Sequence, residues 1–152
     1  MIVSLDRQEK LMEPSLRISV VDPDEDYLGI EVAAASTRFA GTTRIYAGLD
    51  ELSTLASRIE RFPTAVHDER QYEFGSTEPG VAGGFARLRL FCVDGVGHAA
   101  IEVTLEDDTS WHDAAFAKFS FHIAAGDLDR FVARLRDIEQ QRYGEAILPT
   151  AV

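Results

Sequence analysis

The chain has 152 residues, 45% of them apolar and 27% charged, with 26 Asp and Glu against 15 Lys and Arg for a formal net charge of −11. That composition supports one hydrophobic core in a single domain, 1–152, and excludes a wholly disordered chain. The negative field opposes a nucleic-acid backbone or an anionic membrane surface and draws in a basic protein partner.

Met1 to Lys10 is charged where a signal peptide is apolar. No apolar run approaches the roughly 18 to 20 residues that cross a bilayer, so a cytoplasmic location is expected. The first strand is read at Leu16-Arg17-Ile18-Ser19-Val20-Val21, followed by an acidic turn, Asp22-Pro23-Asp24-Glu25-Asp26, and a second strand, Leu28 to Val32. A third strand runs from Phe39 to Tyr46. Leu52, Leu55, Ala56 and Ile59 then repeat at the offsets of one buried helical stripe, with Asp50 placed to cap the start and Pro63 to stop the helix. Gln71 to Phe74 reads as a further strand, and Glu78 to Gly84 as a loop.

The second half repeats this plan. Leu88-Arg89 follows Leu16-Arg17 by 72 residues, and Ile101-Glu102-Val103 follows Ile30-Glu31-Val32 by 71. Phe116 to Ile123 is the matching third strand. Leu128, Phe131, Val132 and Leu135 mark the matching helix, with Asp127 as its expected cap. Glu145 to Leu148 supplies a short edge strand. The expected fold is therefore α+β: an antiparallel sheet of six to eight strands from two strand-strand-strand-helix repeats, about 15–63 and 87–140, with two helices packed on one face. The open face is expected to display Arg17, Glu31, Arg44 or nearby residues from the first half and Arg89, Glu102, Ser120 and His122 from the second.

Within that frame the candidate chemistry is sparse. His98, His112 and Asp113 offer two nitrogens and an oxygen of the kind zinc accepts, but the histidine spacings match no metal motif and loop histidines are ordinarily solvated. His122 is read as a surface histidine paired with a carboxylate such as Glu102. Glu31 and Glu102 resemble a glycosidase pair in type, yet acidic residues at outward strand positions also serve solubility. Asp22, Asp24 and Asp26 alternate as calcium ligands do, with Pro23 and a missing sixth-position glycine against that reading. Cys92, the only cysteine, sits in Leu90-Phe91-Cys92-Val93 and reads as a small buried hydrophobe. Trp111, the single tryptophan, lies in a polar segment and is either an interface anchor beside His112 or an indole folded over the core edge.

The order of Leu-Arg strand, Ile-Glu-Val strand, phenylalanine-containing third strand and Leu-Asp-Arg-Phe helix, over residues 15 to 140, resembles a group of small acidic bacterial proteins. Some relatives of that group resemble immunity proteins that neutralise toxins exchanged between competing cells. The charge of −11, the open sheet face and the absence of a recognisable catalytic set point to a non-enzymatic protein-interaction module, and the resemblance implies immunity-like binding of a basic protein. The partner-binding residues expected are Glu31, Glu102, Trp111, His112 and His122, with no catalytic residue, metal or cofactor. An exposed sheet edge leaves room for a homodimer. The alternative is a small-molecule-binding protein or small hydrolase with its site near the histidines on the open face.

Overall fold

A computed structural model describes residues 12–77, 83–107 and 115–152. Its elements run β1 (Ser15–Pro23), β2 (Leu28–Ala35), β3 (Ala40–Ala47), α1 (Glu51–Ile59), β4 (Glu69–Gly75), β5 (Phe85–Cys92), β6 (Ala99–Glu106), β7 (Phe116–Ile123), α2 (Ala125–Gln141) and β8 (Gly144–Pro149). The α+β class and the antiparallel pairing are as expected. Among the described residues eight strands divide into two sheets of four, ordered β3-β2-β1-β8 and β4-β5-β6-β7.

Twice the chain makes three hairpin-linked strands and a helix, and each helix then delivers a strand to the other sheet. β4 follows α1 but pairs with β5, and β8 follows α2 but pairs with β1. Burial alternates along β3, β7 and β8, as in sheets covered on one side, whereas central β6 is buried at Ala100 and Thr104 on its outward side too. Leu16, Ile18, Ile30, Val32 and Ile45 from the first sheet meet Leu88, Leu90, Ile101, Val103 and Phe121 from the second in one core, which also takes the apolar stripes of both helices. Each fully buried Leu, Ile or Phe there contributes about 1.5–3 kcal/mol of transfer free energy.

Backbone-level contacts join the two sheets. The Gly84 amide donates to the Arg44 carbonyl at 2.7 Å, and the buried Thr43 hydroxyl donates to the Glu106 carbonyl at 2.8 Å. Only glycine fits at 84, since a Cβ there would stand 1.7 Å from Thr43 Oγ1. At the other side of the molecule the Ala151 amide donates to the His122 carbonyl at 2.8 Å.

The helix starts differ from the expectation. Asp50 occupies the N-cap of α1 without a side-chain cap bond, and Glu51 instead accepts the Gly48 amide at 2.8 Å. Ala124 is the N-cap of α2, so Asp127 falls in the first turn, where it pairs with Arg130 and faces the positive end of the helix dipole.

Candidate functional site

Each sheet turns one face away from the core, and the strand registers fix what that face carries. On the first sheet Arg44, Glu31, Ser19 and Glu145 stand in one cross-strand row. Glu31 lies 3.5 Å from Arg17 and 3.9 Å from Arg44, so two guanidinium groups already neutralise it. On the second sheet the corresponding row is Gln71, Arg89, Glu102 and Ser120. There Arg89 pairs with Glu102 at 3.5 Å and Glu69 at 2.9 Å while lying 4.3 Å over the Phe91 ring.

These networks change the reading of the two glutamates. They belong to different sheets, each in its own arginine network, and so do not form the paired carboxylates of one cleft. Sequence alternation had placed both on the outward side correctly, but it carries no information about which sheet a strand joins.

His122 opposes Ala100, whereas Glu102 opposes Ser120. The expected His122–Glu102 pair is therefore replaced by the Arg89–Glu102 bridge. His122 and His98 instead line one shallow depression of about 420 Å³ with Asp94, Val93 and Ile123. His98 Nδ1 meets Asp94 Oδ2 at 2.5 Å. That contact, aided by the Val96 amide, lowers the Asp94 pKa. Among the described residues no group of three or more His, Cys, Asp or Glu is placed to hold a metal ion. Trp111, His112 and Asp113 lie outside the described residues.

Two other candidates resolve into structure. Cys92 is half-buried against the core rather than fully buried, its thiol 3.6 Å from the Ala65 carbonyl. In the acidic turn Asp22 accepts the Tyr27 hydroxyl at 3.0 Å and Asp24 accepts the Asp26 amide at 3.0 Å. Hydrogen bonding to Asp22 raises the Tyr27 pKa. Arg142, at the end of α2, donates to the Asp24 carbonyl and fixes the turn against the helix.

Several exposed apolar side chains at the same end went unnoticed in the sequence. Tyr46 and Tyr143 are 57% and 68% exposed, and Tyr27 meets Tyr46 edge-on with centroids 5.2 Å apart. The signal for Tyr46 was present: it follows Thr42 and Arg44 at outward positions of β3. Among the described residues no helix is long and apolar enough to cross a membrane.

No curated protein and no solved structure matches the chain. A family model does, across residues 5–142, which takes in β1 to β7 and both helices up to the Arg142 that ties α2 to the acidic turn. The chain belongs to the Immunity protein WapI-like family.

Proposed function

We propose that this protein is a non-enzymatic immunity protein, which binds a protein toxin and blocks it by occupying its surface. The observation that carries this reading is the family membership across residues 5–142. The charge of −11 supports a basic partner, because such a field accelerates encounter with a cationic surface and discourages like-charged ones. The arginine-neutralised glutamates support binding over acid-base catalysis, since Glu31 and Glu102 are both committed to ion pairs. The site of action we infer is the cytoplasm, where a toxin that has entered the cell would be met.

The test is a rescue experiment. Each toxin domain encoded in the source genome is expressed in a bacterial host with and without this chain, and survivors are checked for a stoichiometric complex. Restored growth against one domain is expected, with a complex whose association slows as NaCl rises from 20 to 300 mM, by about tenfold or more. Failure to rescue against every domain overturns the immunity reading. Rescue at sub-stoichiometric amounts of this chain, with the toxin covalently altered, overturns the non-enzymatic one.

A further inference from the structure

We propose that the outward face of the β3-β2-β1-β8 sheet is the surface that receives the basic partner, with Tyr46, Tyr143 and Ile147 as its apolar anchors. This rests on the immunity reading above and adds to it which of two outward faces does the binding.

The two faces differ in what covers them. On the second sheet long side chains lie down on one another: Arg87 sits 5.4 Å from the Phe85 ring and bonds Glu73 at 2.8 Å, and Arg89 covers Phe91 while joining Glu69 to Glu102. A partner would have to displace those pairs. The first sheet carries one looser network, Arg17 and Arg44 at 3.5 and 3.9 Å from Glu31 and Arg17 at 3.9 Å from Glu145, and beside it the floor is short. Ala35 pairs with Ala40 and Ser15, and Ala33 pairs with Thr42 and Arg17. Ile147 stands opposite Arg17 and is 48% exposed. Small side chains there let another protein approach the sheet closely, and exposed tyrosines and isoleucine at its borders supply the desolvated contacts that dominate interface energies.

Tyr46 and Tyr143 flank the end of this face. Tyr46 opposes Gly29, which opposes Asp22 across a bulge in β1, and Tyr143 immediately precedes Gly144, the partner of Val20. A Cβ at Gly29 would come 2.8 Å from the Asp22 Cβ, so glycine lets the acidic turn lie close against the sheet. The turn is coupled to the face through Tyr27, which holds Asp22 and packs on Tyr46.

Charge complementarity names the occupant. Glu31, Glu145, Glu69, Glu73 and Glu102 all have arginine partners. Asp22, Asp24, Glu25, Asp26 and Asp50 border the tyrosine end, and none is in ion-pair contact with a basic side chain among the described residues. The nearby Arg142 is spent on a carbonyl. A basic protein surface satisfies those carboxylates and can place a guanidinium over a tyrosine ring. A second copy of this chain would bring two acidic borders together and is disfavoured by like-charge repulsion.

Two measurements test the face separately from the immunity reading. First, a deca-arginine peptide is titrated into the ¹⁵N-labelled protein at low salt. Amide shifts grouped in residues 22–29, 46–50 and 143–147 are expected. Shifts grouped on β4 to β7, or spread evenly over both sheets, overturn the proposal. Second, the toxin domain found by rescue is bound to Tyr46→Ala, Tyr143→Ala and Ile147→Asp, with Ser120→Asp on the other face as control. The first three are expected to weaken binding by about tenfold or more each, with melting unchanged, and the control to bind as the parent does. The reverse pattern overturns the proposal. If no toxin is rescued, the immunity reading fails while the peptide map still decides the face.

Discussion

Asp68 accepts the Thr64 amide at 2.9 Å and its hydroxyl at 3.1 Å, and Arg70 brings Nη2 to 2.9 Å. Arg70 is the largest cause of a carboxyl pKa lowered to about 2, followed by the Thr64 amide. The same arginine donates Nη1 to the carbonyls of Glu60 at 2.7 Å and Arg58 at 3.1 Å, groups at the end of α1 that helix geometry leaves without an amide partner. Ionised Asp68 thus helps hold the α1–β4 connection. Because its folded pKa lies below the ordinary value of 3.8, the stability it contributes is present above about pH 4 and is lost as pH falls through about 2. Asp68→Asn is expected to cost about 1 kcal/mol at pH 6, after allowance for solvent screening, and to flatten the acid side of the profile. Urea midpoints at pH 6 and pH 3 check this. If the variant loses as much stability between those pH values as the parent, the carboxylate is not the group responsible. None of this was legible in the sequence, where Asp68 is one acidic residue among many. Glu31 and Glu102 were legible as outward residues, but their arginine partners Arg17, Arg44 and Arg89 come from neighbouring strands whose registers no local pattern fixes.

The elements themselves were more legible than their neighbours. The internal repeat and its apolar runs located six strands, alternation assigned faces to those at Ile101 to Leu105 and Phe119 to Ile123, and Gln71 to Phe74 and Glu145 to Leu148 were read as further strands. What alternation cannot fix is which strand ends up beside which. The repeat of Leu16-Arg17 in Leu88-Arg89 suggests a 72-residue correspondence, yet Glu31 opposes Ser19 and Glu102 opposes Arg89, positions 70 residues apart. A slip of two residues keeps every side chain on its face, so the hydrophobic pattern does not resist it. The exchanged strands β4 and β8 are sheet edges, and each has one outward carbonyl covered by a helix arginine. Arg58 donates to the Gln71 carbonyl and Arg134 to the Glu145 carbonyl, both at 2.9 Å. Gly144, at φ +106°, leaves room for Arg134, since a Cβ there would come 2.8 Å from its Nη2. Arg58→Ala and Arg134→Ala should each cost about 1 kcal/mol and uncover an edge that pairs with other chains. Light scattering at rising protein concentration should show earlier aggregation for both variants and most for the double variant. Unchanged scattering with a lowered urea midpoint would assign the arginines to stability alone.

At the scale of the whole molecule, the exchange of β4 and β8 sets how the two sheets come apart. The first sheet keeps its four strands only while β8 remains joined to α2, and the second keeps its own only while β4 remains joined to α1. Both sheets also share one core, into which Leu52, Ile59, Phe131 and Leu135 project from the helices. Opening either sheet would expose that core and pull on a strand of the other, so the low-cost partial unfolding available to two separate units is missing here. We therefore expect one cooperative transition, in which amides on the central strands report the same opening free energy. β2 lies between β1 and β3, and β6 lies between β5 and β7, so their interior amides are the matched probes. In native-state hydrogen exchange, Ile30 and Val32 should agree with Ile101 and Val103 to within about 1 kcal/mol, and all four should fall together with added denaturant. A gap of several kcal/mol between the pairs would mean that each sheet folds on its own, and that the exchanged strands are attachments rather than ties.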